Sequence, residues 1–156
     1  MSSWPQAWGG LVEELRSGRG KPAFVEISAG SAGLVRALGG RVAERISIGQ
    51  LLLNADSSES VLQAIQPPRE SALLTDIDVL FSPQMSIDSM AYIRKLSQRC
   101  ALIVGWPGEI AGGRLSYSRP GRADFLNIPA SDLVVLRPVD AEFPDEIPYS
   151  LERYPA

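Results

Sequence analysis

The chain of 156 residues contains no histidine, a single cysteine and only two lysines. Without histidine there is no Ser-His-Asp or Cys-His relay, and transition-metal sites lose their commonest ligand. Cys100 alone can form neither a disulfide nor a thiolate cage within the chain. Long apolar runs are missing too: nothing approaches the roughly 20 residues that cross a bilayer, and residues 1–10 lack the basic start and apolar stretch of a secretory leader. These absences predict a cytoplasmic protein with no membrane partner, no bound metal and no triad chemistry. Reactions run by carboxylates, backbone amides, arginine or lysine stay open.

What is present is ordinary for a globular chain: 45% hydrophobic and 21% charged residues in a length that suits one domain. Thirteen of the fifteen basic residues are arginine. Arginine suits bidentate pairing with carboxylate or phosphate, although a high-GC genome raises arginine use without any such role. The net charge of −3 is unevenly spread, because residues 138–156 hold five acidic side chains and four prolines against Arg153 alone. Proline removes backbone donors and like charges repel. The expectation is therefore a domain over residues 1–137 followed by an irregular, Pro-rich acidic tail over 138–156.

Trp8, Leu11, Val12 and Leu15 recur at helical spacing and predict a first helix that stops at residues 17–20. Residues 22–27 form an apolar strand pattern. A second helix follows with Leu34, Leu38 and Val42 on one face, then a short strand near residues 45–48. Asp56 and Glu59 suggest a capped helix bearing Val61, Leu62 and Ile65, closed by Pro67 and Pro68. Residues 71–75 form another strand. A helix with Ile87, Met90, Ile93 and Leu96 follows, and residues 100–106 make a third apolar run broken at Pro107 and Gly108. Residues 114–117 and 124–128 look like a strand pair around a Pro-Gly turn, and residues 133–136 like a closing strand. Short apolar strands alternating with helices predict an α/β fold in three layers with a mostly parallel sheet.

In such sheets ligands sit beyond the carboxyl ends of the strands, beside helix N-termini. Three strand ends therefore matter, at residues 27–33, 75–78 and 105–109. They occupy the places of the three stations of a P-loop NTPase: a loop for phosphates, an acid for Mg²⁺ or water, and a sensor of the γ-phosphate. The first resembles GxxxxGK[ST], with Gly33 as its second glycine, but Ser28 replaces the first glycine, and Leu34 and Val35 replace the lysine and the Ser/Thr. A charge-assisted contact of the kind the lysine makes is worth roughly 1.5 to 3 kcal/mol. At the second station the acidic position falls on Thr75 or Asp76, according to where the strand ends. The third, Trp106 to Glu109, has no Asn, Thr or Arg on the strand, and Trp106 reads as a packing residue or interface anchor. Gly30, Ser31, Ala32, Gly33 and Asp76 are the vestigial nucleotide-binding residues on this reading, with no catalytic residue. ATP with Mg²⁺ is the cofactor only if the loop still functions.

The order of features resembles a known family. An acidic strand end leads into Leu80-Phe81-x-Pro83; a helix ends in Leu96-Ser97-Gln98-Arg99; an apolar strand runs into Trp106-Pro107-Gly108-Glu109. Later come Leu115-x-Tyr117 and Pro120-Gly121-x-x-Asp124-Phe125. Over roughly residues 8–137 this resembles BrxF, the small P-loop protein of type 3 BREX phage-defence systems. The resemblance implies an ATPase-type α/β domain working beside a methyltransferase, a phosphatase-like protein, a helicase and a large ATPase. It also implies an intact GxxxxGK[ST] loop, which this chain lacks.

Three functional expectations follow. The first is a pseudo-ATPase subunit acting by assembly with itself or with other defence proteins. The second is a weak nucleotide switch in which Arg36, Arg119 or Arg122 replaces the missing lysine. The third is a DNA-associated module with a basic face of Arg94, Lys95, Arg99, Arg114, Arg119 and Arg122. Trp4 and Trp8, read as exposed, and the acidic tail are candidate docking segments, against a core-packed helix for Trp8 and a disordered end for the tail.

Overall fold

The computed structural model describes residues 3–18, 20–53, 58–66, 70–143 and 146–154. The first helix, α1 (Trp4–Ser17), opens with a capping box in which Ser3 and Gln6 exchange side-chain and backbone hydrogen bonds. Its Trp4, Leu11 and Leu15 are buried. Trp4 is thus not an exposed docking residue: it is 5% accessible, edge-on to Trp8 at 5.8 Å and to Tyr149 at 5.4 Å, with the Arg41 guanidinium 4.9 Å from its ring centre. Sequence spacing started the helix one turn too late to see this.

Strand β1 (Ala23–Glu26) leads through a turn into α2 (Ala32–Gly39), then β2 (Glu44–Ser47), α3 (Ile48–Leu53) and α4 (Ser58–Ala64). Helix α3 was not expected; it starts directly after β2, where Ser47 Oγ accepts the Gln50 N–H at 3.2 Å. The expected cap Asp56 and the closing Pro67 and Pro68 lie outside the described residues. Next come β3 (Ser71–Thr75), α5 (Ser89–Ser97) capped by Asp88, and β4 (Ala101–Trp106). A small hairpin system, β5 (Glu109–Ala111), β6 (Arg114–Tyr117) and β7 (Leu126–Pro129), precedes β8 (Val134–Pro138) and β9 (Tyr149–Arg153).

The main sheet has the order β2-β3-β4-β1-β8-β9 and is parallel except for β9. The fold is α/β with a mostly parallel sheet between helical layers. Alternation assigns the faces. Ala23, Val25, Leu73, Ile103 and Leu136 join α1 and α2 in one core, while Phe24, Leu74, Leu102, Val104 and Val135 join the residues of α3, α4, α5 and the hairpins in the other. The chain crosses from β1 to the far edge at β2 and returns through β3 and β4, so right-handed crossovers put α2 and α5 on opposite faces.

The expected irregular tail is corrected over residues 149–153. They form an edge strand antiparallel to β8, with Tyr149 turned inward and Ser150 exposed. The prolines that argued against a strand fall outside it, and an edge tolerates charge. For the same reason β8 is not the closing strand. Strand β4 ends at Trp106 and Pro107 and Gly108 break the run as expected, but β5 begins directly after them. There Gly108 passes so close to β6 that an added Cβ would lie 1.9 Å from the Ser116 carbonyl oxygen. No helix among the described residues is long and apolar enough to cross a membrane.

Candidate functional site

The loop after β1 is where a phosphate would be held. Its backbone first extends the sheet by one bond, Ile27 N–H to the Trp106 carbonyl at 2.9 Å, then turns through residues 29–31 into α2. A phosphate cradle needs successive N–H groups aimed into one concavity, built by alternating right- and left-handed backbone. Neither Gly30 nor Gly33 has a positive φ, so that alternation is missing.

The inside of the turn is taken by a side chain. Ser31 is 2% accessible; its hydroxyl oxygen lies 2.5 Å from the Glu26 carbonyl, to which it donates, and accepts the Ser28 N–H at 2.9 Å. The Ser31 N–H is in turn donated to the Ser28 carbonyl at 3.2 Å. The amides of Ser28 and Ser31 are thereby satisfied within the loop. Leu34, at the lysine position, is 4% accessible and belongs to the core that contains Leu11 and Leu15, with Val35 packed against it. Both positions point into the helical layer.

Strand β3 ends at Thr75, and Asp76 is the residue just past it, in the left-handed region at φ 53°. Aspartate tolerates that conformation better than most residues. Its carboxylate accepts the Ser47 hydroxyl at 2.5 Å, and its Cβ would stand 3.1 Å from a Cβ added at Gly49. Asp76 is therefore bonded toward β2, whereas the loop of Gly30, Ser31, Ala32 and Gly33 lies at the end of β1, on the other side of β4. The described residues also contain no cluster of three or more acidic or cysteine side chains that could hold a metal ion.

At the end of β4, Trp106 is fully buried between Phe24 and Phe81, and its indole N–H donates to the Ser116 carbonyl at 2.9 Å. It is a packing residue that fastens the hairpin system to the sheet. Glu109 is exposed at the start of β5. Sequence reasoning missed Ile27 here. Its Cδ1 would be 2.8 Å from a Cβ on Gly105, so an apolar side chain lies over the carboxyl end of β4 while remaining 41% accessible. Gly105 pairs in register with Val25, two residues before Ile27, so no local sequence signal announced this contact.

No family model, curated protein or solved structure matches the chain. The site rests on geometry alone.

A polar cluster unforeseen from the sequence joins the strand ends. Glu26 accepts the Ile110 N–H at 2.9 Å and pairs with Arg137 at 3.4 Å; Arg137 donates to the Ile110 carbonyl at 2.5 Å and pairs with Glu152 at 3.2 Å. Burial works against the Arg137 charge, but hydrogen bonds to Glu152 and Tyr154 outweigh it and raise its pKa above the ordinary value. Each of its three guanidinium nitrogens has a protein partner, which makes it a clamp between β5, β1 and β9.

The arginines expected to replace the lysine are elsewhere. Arg36 is exposed on α2, and Arg122 lines a cleft of about 570 Å³ with Asp78, Tyr117 and Asp124 on the hairpin side. The phenol of Tyr117 there is pushed up by burial and then by those two carboxylates. Of the residues read as a DNA face, Arg94 is bonded to the Gly20 carbonyl and Arg114 to Asn127. They belong to separate elements, α5 and β6.

Proposed function

We propose that the chain is a P-loop-type domain that has lost phosphate chemistry and acts by assembly, with itself or with partner proteins, in bacterial defence against phage. The observation that carries the first half is the Ser31 hydroxyl, which fills the turn, accepts the Ser28 N–H and donates to the Glu26 carbonyl. Three further features support it. The loop, acid and sensor strands β1, β3 and β4 lie in one parallel sheet, with β4 between the other two. Leu34 is in the core. Asp76 is engaged by Ser47. The defence role rests on the residue pattern around Trp106 to Glu109 and Pro120 to Phe125, which resembles BrxF.

Titration calorimetry with ATP and ADP, with and without Mg²⁺, tests the first half, and the expected result is no heat of binding. Micromolar affinity with Mg²⁺-dependent phosphate release would overturn it. Plaque counts on cells carrying the gene's native cluster, with and without this gene, test the second half. Unchanged plaque counts on deletion would remove the defence assignment.

A further inference from the structure

Two surface features at opposite ends of the molecule remain unused. One is a groove of about 750 Å³ between α4 and α5, whose floor includes Leu62, Ile65, Met85 and Ile87 and whose rim carries Lys95 and Arg99. Among the described lining residues the acidic one, Glu59, is bonded to Gln63. Neither Lys95 nor Arg99 is in an ion pair recorded among the described residues. Gln63, Gln66, Gln84 and Gln98 line it as well, so neutral polar groups stand beside the apolar ones, and the cations among its described lining residues are Lys95 and Arg99.

The other feature is the connection between β8 and β9. Phe143 is 61% accessible there and Val139 is exposed, with Asp140, Glu142 and Glu146 around them. Its described residues are hydrogen-bonded to one another. Val139 N–H bonds the Pro148 carbonyl, Glu146 N–H bonds the Phe143 carbonyl, and Glu142 N–H bonds the Glu146 carboxylate. An aromatic ring held outward on a hydrogen-bonded acidic turn is preorganised for burial elsewhere.

We infer that the acidic Phe143 turn of one copy docks into the basic α4–α5 groove of a second copy. The charges are complementary, and the apolar floor can take a phenyl ring that water now surrounds. One chain cannot make this contact with itself. Arg99 lies at the end of α5, just before the amino end of β4, whereas the Phe143 turn follows the carboxyl end of β8, which runs parallel to β4 through β1. The contact is thus head-to-tail, using different surfaces on the two partners, and it extends into rings or filaments unless it closes. The inference specifies the assembly invoked under the proposed function and rests on that part of it.

The experiment uses two full-length variants, Phe143→Ser and the pair Lys95→Glu with Arg99→Glu, in sedimentation velocity at low salt. Wild-type protein should form species larger than a dimer at roughly 100 µM, and these should shrink as salt rises. Each variant alone should be monomeric. Mixed, they should form a one-to-one dimer that grows no further, because only one competent turn and one competent groove remain. A monomeric wild type, or oligomers unaffected by either variant, would overturn the inference while leaving the nucleotide result untouched. Circular dichroism of each variant guards against misfolding. If the groove pair does not fold, Gln98→Glu on the same rim replaces it, and the same outcomes decide.

Discussion

Restoring lysine at position 34 and threonine at position 35 would return to the loop the two groups that GxxxxGK[ST] requires. The structure says that the lysine will have nowhere productive to go. Leu34 is 4% accessible in a core with Leu11, Leu15 and Leu38. Losing a buried leucine costs about 1.5–3 kcal/mol, and holding an ammonium in that place adds on the order of several more unless its stem reaches water. A total of about 3–6 kcal/mol is a large share of the 5–15 kcal/mol that holds a typical domain together. At roughly 2–4 °C per kcal/mol for this size, the melting temperature should fall by about 6–24 °C. Thermal unfolding followed by calorimetry with Mg²⁺-ATP measures both parts. A double variant that melts within about 3 °C of the parent and binds Mg²⁺-ATP would refute the reasoning, because position 34 would then face a phosphate pocket after all.

Ser31→Ala leaves the Ser28 N–H and the Glu26 carbonyl without their hydroxyl partner, and should lower stability by about 1–3 kcal/mol in urea unfolding, with an unchanged slope. Gly108→Ala forces a methyl group against the Ser116 backbone, and backbone cannot rotate away as a side chain can. It should cost at least about 3 kcal/mol and weaken the near-ultraviolet signal of Trp106, whose indole bond uses the same carbonyl. At high pH, burial raises the Tyr92 phenol to about 12 and the Cys100 thiol to about 11. Both acids hold their protons more tightly folded than unfolded, so their contribution is complete below pH 9 and is lost as pH rises from 9 through 12. Urea midpoints at pH 8, 9.5 and 10.5 should therefore begin to fall by pH 9.5 and fall more steeply from 9.5 to 10.5. The thiol should react with an aromatic disulfide reagent far more slowly in native protein than in urea.

The parallel core was legible because burial on both faces leaves strands with no polar alternation: Ser71–Thr75 was bounded as observed, and β1 and β4 to within one residue at either end. Elements whose cues are local and polar were not. Helix α3 begins without a turn after β2, and β5 is announced only by a Pro-Gly pair that reads as a stop. β9 has alternating accessibility, but its neighbourhood of prolines and acids outweighed two inward residues. In the candidate site, the missing lysine and hydroxyl were visible as letters. That Ser31 closes the loop was not, since serine in such a place reads equally as a donor aimed outward. Asp76 kept its acidic identity, and only the fold reveals that Ser47, 29 residues earlier, occupies its carboxylate.

The contact between α1 and β9 bears on how the chain is made. Trp4 rests on Tyr149, and Glu14 is paired with Arg153, 139 residues away along the sequence. During synthesis the first helix leaves the ribosome long before the strand that receives it. Until β9 is complete, its tryptophan and leucines have only part of their final surroundings. Long-range closure of this kind slows folding and leaves apolar surface open meanwhile. A nascent chain stalled before residue 149 should therefore hold α1 loosely, and accessibility of Trp4 would report the moment at which the domain finishes.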